Sequence, residues 1–338
     1  MNLGKTMNVS VVIPLYNKVR HIRRAINSVL AQTCQAFDLI VVDDGSTDEG
    51  GNVVREIRDP RLHLITQQNA GECGARNRGI QEASSELVAF LDADDEWLPG
   101  FLDTVMGLRG KHLEAGIYAT AYRCCTEAKT SRPDFIDCPG SANGGLVKDF
   151  FRSSLGPSPV TSSSVMIPKR VLDEVGGFPV GVRMGGDLHT WVRIALRYRV
   201  AWSPFDGAVY HLSADNRACS LGMIAPDIVF APVIEEFLQS AQQPVVPRRS
   251  VEEYLVSWRL QLALNCCLQG KRSWALSMLH KTRSTTFFRS RRIFLQCIVW
   301  LPPALLRSSL RAKALLNPRF AGRSRRSSSE TLATCQPV

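Results

Sequence analysis

The sequence predicts an α/β fold, a mostly parallel sheet flanked by helices with a helical C-terminal extension. Three observations carry that reading. Short apolar runs rich in β-branched residues alternate with amphipathic segments from Val9 to Ala121. Acidic and aromatic polar residues stand at the carboxyl ends of those runs. From Val251 onward the spacing of Tyr254, Leu255, Trp258, Leu262 and Leu264 is helical.

Val9 to Leu15 reads as a buried strand that ends at Tyr16-Asn17. Ile22, Ala25, Ile26, Val29 and Leu30 recur at spacings of three and four, which predicts an amphipathic helix over 19–31. The alternation continues with a strand at Phe37 to Val42, a helix near 49–57, a strand at Leu62 to Thr66 and a helix near 74–83. A strand at Leu87 to Leu91, a helix at 98–110 and a strand at Gly116 to Ala121 follow. Strands that alternate with helices pair in parallel, and such sheets collect ligands at their strand carboxyl ends. The Gly-, Pro- and Ser-rich stretch from Pro133 to Ser164 is expected to be an irregular lid or binding loop.

With 45% hydrophobic and 21% charged residues the chain is a folded one. Its net charge of +10 is uneven: residues 241–338 hold 17 Lys and Arg against Glu252, Glu253 and Glu330. A basic tail on a mildly acidic body implies an anionic partner for the tail, a membrane surface or nucleic acid. The apolar run Ile293 to Leu306 favours the membrane. At fourteen residues with two prolines it is too short to span a bilayer, yet Arg289, Arg291, Arg292, Arg307 and Arg311 bracket it. Such a segment is expected to lie at the inner face of the plasma membrane with Phe294 and Trp300 among the headgroups, or else to pack on the catalytic domain. No nucleic-acid partner is expected. Met1 to Asn8 has no apolar stretch, so neither a signal peptide nor an anchor is expected there and the body is expected to be cytoplasmic. The ten cysteines lack paired C-x-x-C spacing and read as buried, reduced thiols. The tail from Gly322, rich in Ser and Arg, is expected to be disordered.

Asp92-Ala93-Asp94-Asp95 follows the run Leu87 to Leu91, with no Lys or Arg between Leu91 and Phe101. Carboxylates crowded at one strand end repel one another unless a cation intervenes. A hard ion, Mg2+ or Mn2+, suits one or two carboxylates with water and phosphate completing its shell. The bland alternative is a solvated loop with Asp95 as a helix N-cap. Asp43-Asp44-Gly45-Ser46 is a second acidic strand end, also compatible with an ordinary turn. Tyr16-Asn17-Lys18 follows the first strand where a dinucleotide fold would place glycines, so hydride transfer is excluded. A nucleotidyltransferase is disfavoured because residues 14–21 lack a basic glycine-rich loop. Asp187, after Gly185-Gly186, is either the N-cap of the following helix or a functional acid. His211 is a core or surface histidine unless it assists phosphate or metal.

VSVVIPLYN (9–17), SVLAQT (28–33), LIVVDDGSTD (39–48), NAGECGARNRGI (69–80) and LVAFLDADDEWLPG (87–100) together resemble the family 2 inverting glycosyltransferases. GGFPVGVRMGGDLHTWVRIAL (176–196) is similar to the acceptor side of that family. The resemblance covers about 7–220 and implies a GT-A catalytic domain there, with a helical, basic extension over 221–320 and a tail beyond. It further implies a sugar moved from a nucleotide diphosphate donor, by preference a UDP-sugar, to a hydroxyl of a glycan or lipid-linked acceptor in cell-surface polysaccharide synthesis. By that matching, Pro14, Tyr16 and Asp44 line the nucleoside pocket, with Asp43 and Arg76 in support, and Asp92 meets the ribose side. Asp94 and Asp95 are the expected metal ligands and Asp187 the general base. The family usually has Glu before that Asp, where this chain has Gly186. A nucleotide-sugar-binding scaffold without catalysis is the alternative that this departure raises.

Overall fold

The computed structural model describes residues 9–214, 228–241 and 245–308. Its elements in order are β1 (Val9–Leu15), α1 (Ile22–Leu30), β2 (Phe37–Asp43), α2 (Gly50–Glu56), β3 (Leu62–Thr66), α3 (Gly71–Glu82), β4 (Leu87–Phe90) and β5 (Glu96–Trp97). They continue with α4 (Phe101–Lys111), β6 (Ala115–Cys125), β7 (Thr130–Ser131), β8 (Gly145–Leu146), α5 (Phe150–Ser153), β9 (Val165–Pro168), α6 (Lys169–Val175), α7 (Gly186–Ala195) and β10 (Arg199–His211). A helical region closes the described chain: α8 (Ala231–Gln239), α9 (Arg248–Leu268), α10 (Arg272–Lys281), α11 (Arg289–Ile298) and α12 (Pro303–Ser308).

The strands form one sheet in the order β3-β2-β1-β4-β9-β6-β10-β5. β3, β2, β1 and β4 are parallel neighbours, and β6 and β10 pair in parallel. β9 runs antiparallel between β4 and β6, so the sheet is mixed at its centre. The sequence alone predicted neither β9 nor β10, because Val165 to Pro168 is four residues long and β10 is interrupted by Ser203-Pro204.

Alternation along the strands divides the core in two. Val9, Val11, Ile13 and Leu15 of β1 join Phe37, Leu39 and Val41 of β2 against α1 and α4, while Val12, Ile40 and Val42 face α3. Burial on both faces is what a central parallel strand requires and explains the near-continuous apolar runs. α3 lies so close to β1 that a Cβ on Gly79 would sit 2.3 Å from Val12 Cγ1, so only glycine fits.

The stretch from Pro133 to Ser164, expected to be an irregular lid or binding loop, is packed over its second half, from Phe150 onward, and mostly exposed or half-buried before it. Phe150 and Phe151 are buried against α9, and Thr161 to Ser164 are buried beside β4 and β6. The extension shares the core cluster on the α3 face of the sheet through Phe230, Tyr254, Leu260 and Leu264. The expected boundary at 220/221 and the tail from Gly322 lie outside the described residues.

Candidate active site

Backbone hydrogen bonds align three strand ends in one crevice. Asp44 N donates to Leu15 O at 2.8 Å, Leu91 N to Val12 O at 3.1 Å and Gln67 N to Asp43 O at 2.9 Å. Pro14 is buried next to Val42, and Tyr16 leaves the sheet with 47% of its surface exposed. Asn17, in the left-handed region at φ 52°, accepts from Thr47 N through Oδ1 at 2.8 Å and pins the Gly45–Asp48 turn beside it.

Asp43 Oδ1 caps that turn by accepting from Ser46 N at 3.0 Å. Asp44 Oδ1 accepts from Gln67 Nε2 at 2.6 Å and from Ala70 N at 2.9 Å. Its Oδ2 is buried with no partner. A buried acceptor left open beside an exposed tyrosine suits the N–H edge of a ring that stacks on Tyr16.

The acidic loop is less bare of cations than its local sequence indicates. Lys18 Nζ donates to Asp94 Oδ2 at 2.7 Å, and Arg24 Nη2 reaches the Asp94 carbonyl. Arg76, expected to support the nucleoside pocket, is bonded to this loop: it donates to Asp92 Oδ1 at 2.7 Å and to Glu72, with Phe178 against its plane. α3 places it there because Arg76 points across the sheet end toward β4. Burial opposes its charge, but Glu72, Asp92 and Asp187 hold it protonated. Burial likewise pushes Asp92 up to about 6, with Glu72 and Asp94 adding to the rise and Arg76 resisting it.

Asp95, expected as a metal ligand, is buried; its Oδ2 accepts from Ser163 Oγ and its Oδ1 from His211 N at 2.9 Å. Both oxygens are engaged in tying the loop to β10 and to the segment before β9. His211 turns its ring to Glu96, with Nε2 3.2 Å from Oε1.

Asp187 stands in the first turn of α7, and Gly185, in the left-handed conformation, is the N-cap in its place. Burial raises its pKa while Arg76 resists the rise. Ser162 Oγ donates to Oδ2 at 3.4 Å. Asp92 also raises it, so the acids of the β4 loop and of α7 border one guanidinium and one crevice. Gly186 has a steric cause: a Cβ there would lie 2.2 Å from Cys73 Sγ. The buried thiol of α3 fills the space that a side chain at 186 would need.

Sequence reasoning missed Lys18, Gln67, Ser163 and Cys73. Lys18 sits in the same loop as Tyr16, which was its only signal.

A family model described as glycosyl transferase family 2 matches residues 10–161. Those residues are a family 2 glycosyltransferase domain. An uncharacterised glycosyltransferase of Nostoc sp. is 45% identical over 103 residues, 30% of this chain and 32% of that one. The Escherichia coli UDP-Glc:alpha-D-GlcNAc-diphosphoundecaprenol beta-1,3-glucosyltransferase WfgD is 39% identical over 105 residues, 31% of this chain and 42% of that one. The chain spans about a third of the length of the first relatives that it matches, 32% and 31% for two of them. The S. aureus TarS 1-349 structure in complex with UDP-GlcNAc shares the fold at TM-score 0.67 and 17% identity, covering 87% of this chain and 88% of that one. The glycosyltransferase domain thus has the expected GT-A type sheet with flanking helices.

Proposed function

We propose that this protein is a metal-dependent inverting glycosyltransferase that moves a sugar from a nucleotide diphosphate donor, a UDP-sugar, to a hydroxyl of a glycan or lipid-linked acceptor. The observation that carries it is the shared crevice of Asp44, Asp92 and Asp187. The open Oδ2 of Asp44 takes the base and Tyr16 stacks on it; Asp92 and Asp94 face the diphosphate. UDP-GlcNAc in the TarS complex and the UDP-Glc donor in the name of WfgD support the choice of nucleotide.

Among the described residues no group of three His, Cys, Asp or Glu side chains is arranged to hold a metal ion. The donor set is instead two carboxylates. Arg76 takes one oxygen of Asp92 and Lys18 one of Asp94, which leaves each a second oxygen. Burial is the main cause of the raised pKa of Asp92, and the Glu72 and Asp94 charges add a smaller repulsion that a hard cation would relieve. Bound there, such an ion would neutralise charge on the leaving diphosphate. Asp187 takes the acceptor hydroxyl's proton as its oxygen bonds to the anomeric carbon. The carbon–oxygen bond to the diphosphate breaks on the opposite face, and the electron pair leaves with the nucleotide. A single carboxylate suffices for that displacement, so Gly186 does not require the scaffold reading.

A thermal-shift panel of nucleotide sugars with Mn2+ tests the donor and the metal together. A UDP-sugar is expected to raise the midpoint only with the divalent ion present, and Asp94→Asn to lose that dependence. A panel without any shift would end the reading.

We further propose that the outer face of α11 and α12 meets an anionic membrane, a reading supported by exposed Ile293, Trp300, Leu301 and Leu305. Phe294 is packed against the core, and Arg291 turns inward, so neither serves the contact assigned to it above. Arg272 lies over the Trp300 ring at 5.2 Å. Arg311 falls outside the described residues. No described helix is long and apolar enough to cross a membrane. Co-sedimentation with phosphatidylglycerol vesicles should drop in Trp300→Ser with Leu305→Ser, and undiminished binding would refute this face.

A further inference from the structure

On the far side of Asp187 the catalytic domain and the extension enclose a cavity bordered by Ser154, Leu188, Tyr254, Trp258, Gln261 and Arg291. About 50 Å3 of it is open to the centres of water-sized molecules. A single water needs roughly 10–15 Å3 on that measure, so several waters or one small oxyanion fit.

The charge in its wall has no counterpart. Arg291 Nη2 donates to the neutral Gln261 Oε1 at 2.7 Å, and its Nε is buried with no acceptor. The two fully buried arginines of the described residues have carboxylates: Arg76 has Asp92 and Arg259 has Glu235 at 2.5 Å. Burial, with nothing to offset it, pushes Arg291 down to about 10. In the same wall Ser154 Oγ is buried and without a partner. Two unspent donors, one of them on a cation, thus border one small and mainly apolar cavity, and a largely enclosed charge without a counter-charge is costly.

We propose that this cavity binds an oxyanion borne by the acceptor, a carboxylate or a phosphate ester, with Arg291 as its counter-charge and Ser154 as a second donor. Its place decides the bearer. Leu188 directly follows Asp187, and Tyr254 lies close enough to feel the Asp187 charge. The acids proposed above to face the donor's phosphates, Asp92 and Asp94, are not part of this lining. An anion in the cavity therefore arrives on the molecule whose hydroxyl meets Asp187. Assigning it to the acceptor rests on the transfer reaction proposed above; the binding of an oxyanion does not.

The test is a thermal-shift titration of the full chain with inorganic phosphate and with glucuronate at constant ionic strength, UDP and Mn2+ being present throughout to occupy the donor side. The wild-type midpoint is expected to rise with at least one of them, and the stronger of the two identifies a phosphate ester or a uronate as the group recognised. Arg291→Met, which removes an unpaired buried charge, should start at a higher midpoint and show no response. Ser154→Ala, a deletion of one hydroxyl, should raise the half-saturating concentration about tenfold, as expected for a lost hydrogen bond to a charged group, and it decides the matter should Arg291→Met not fold. No response in the wild type, or equal responses in wild type and variants, would overturn the site. That result would leave the donor reading standing, because the titration needs no turnover. A nucleotide-sugar panel without a hit would instead remove the acceptor assignment and leave the anion site.

Discussion

The two sides of the crevice are finished differently. On the proposed donor side each acid is tied by at least one bond, Asp43 to its own turn, Asp95 to Ser163 and His211, Asp94 to Lys18 and Asp92 to Arg76, while Asp44 Oδ2, Arg24 Nε and Arg76 Nε are left open. On the proposed acceptor side the Ser162 hydrogen bond to Asp187 is long, the first backbone N–H groups of α7 assist it, and Arg291, Ser154, His189 Nδ1 and Trp191 Nε1 have polar atoms buried without partners. Acids cross-linked to one another's loops hold their shape before a ligand arrives, whereas unspent donors are free to meet one. On the proposed function, the donor side is then the more preformed and the acceptor side the more open to selection.

The largest effect should come from the one acid on the open side. Asp187→Asn removes the proton acceptor, so transfer should fall by about 10²–10⁴-fold while UDP-sugar binding by calorimetry is retained. Transfer unchanged by this variant would break the comparison. Burial raises the Asp187 pKa, so the acid limb of wild-type kcat/KM should lie above the ordinary carboxylate range, with activity lost as pH falls through it. Asp92, moved up from 3.8 to about 6, binds its proton more readily folded than unfolded. Its stability contribution is therefore complete below about pH 4 and is lost as pH rises through about 6.

On the donor side Asp44→Ala should weaken UDP binding by about ten- to a hundredfold, the worth of a hydrogen bond to a charged group. Calorimetry with UDP checks it. A loss below twofold would mean that the open Oδ2 does not meet the base.

The same contrast governs what could be read in advance. Strands β1 to β4 were legible because burial on both faces leaves continuous apolar runs, and the donor acids were legible because each follows such a run within two or three residues. The partners of those acids were not. Lys18 and Asp94 are 76 residues apart and Ser163 and Asp95 are 68, so only folding brings them together. Arg76 was noticed as a supporting residue, but its bonds to Asp92 and Glu72 were not legible, since the helix face it occupies is set by the packing of Gly79 on Val12. The stretch 133–164 reads as a loop by composition, yet Phe150, Phe151 and Val160 bury its second half against the extension. The cavity at Arg291 joins residues from four distant segments and has no motif at all.

The smallest expected effect concerns the departure at Gly186, and its sign depends on one sulfur. In an open helix, alanine for glycine gains up to about 1 kcal/mol. Here the new Cβ would sit 2.2 Å from Cys73 Sγ, and Cys73 is 4% exposed, so the sulfur must turn into packed surroundings. Overpacking of that kind costs about 1–3 kcal/mol, which outweighs the helical gain. Gly186→Ala should therefore lower the denaturation midpoint in the wild-type background. With Cys73→Ala already present the sulfur is gone, and the same substitution should be neutral or stabilising. A double-mutant cycle measured by urea denaturation gives the coupling directly. A reversal of sign would show that Cys73 and Gly186 are one exchange of volume between α3 and α7. Equal destabilisation in both backgrounds would leave the glycine without a steric cause and return weight to the scaffold reading.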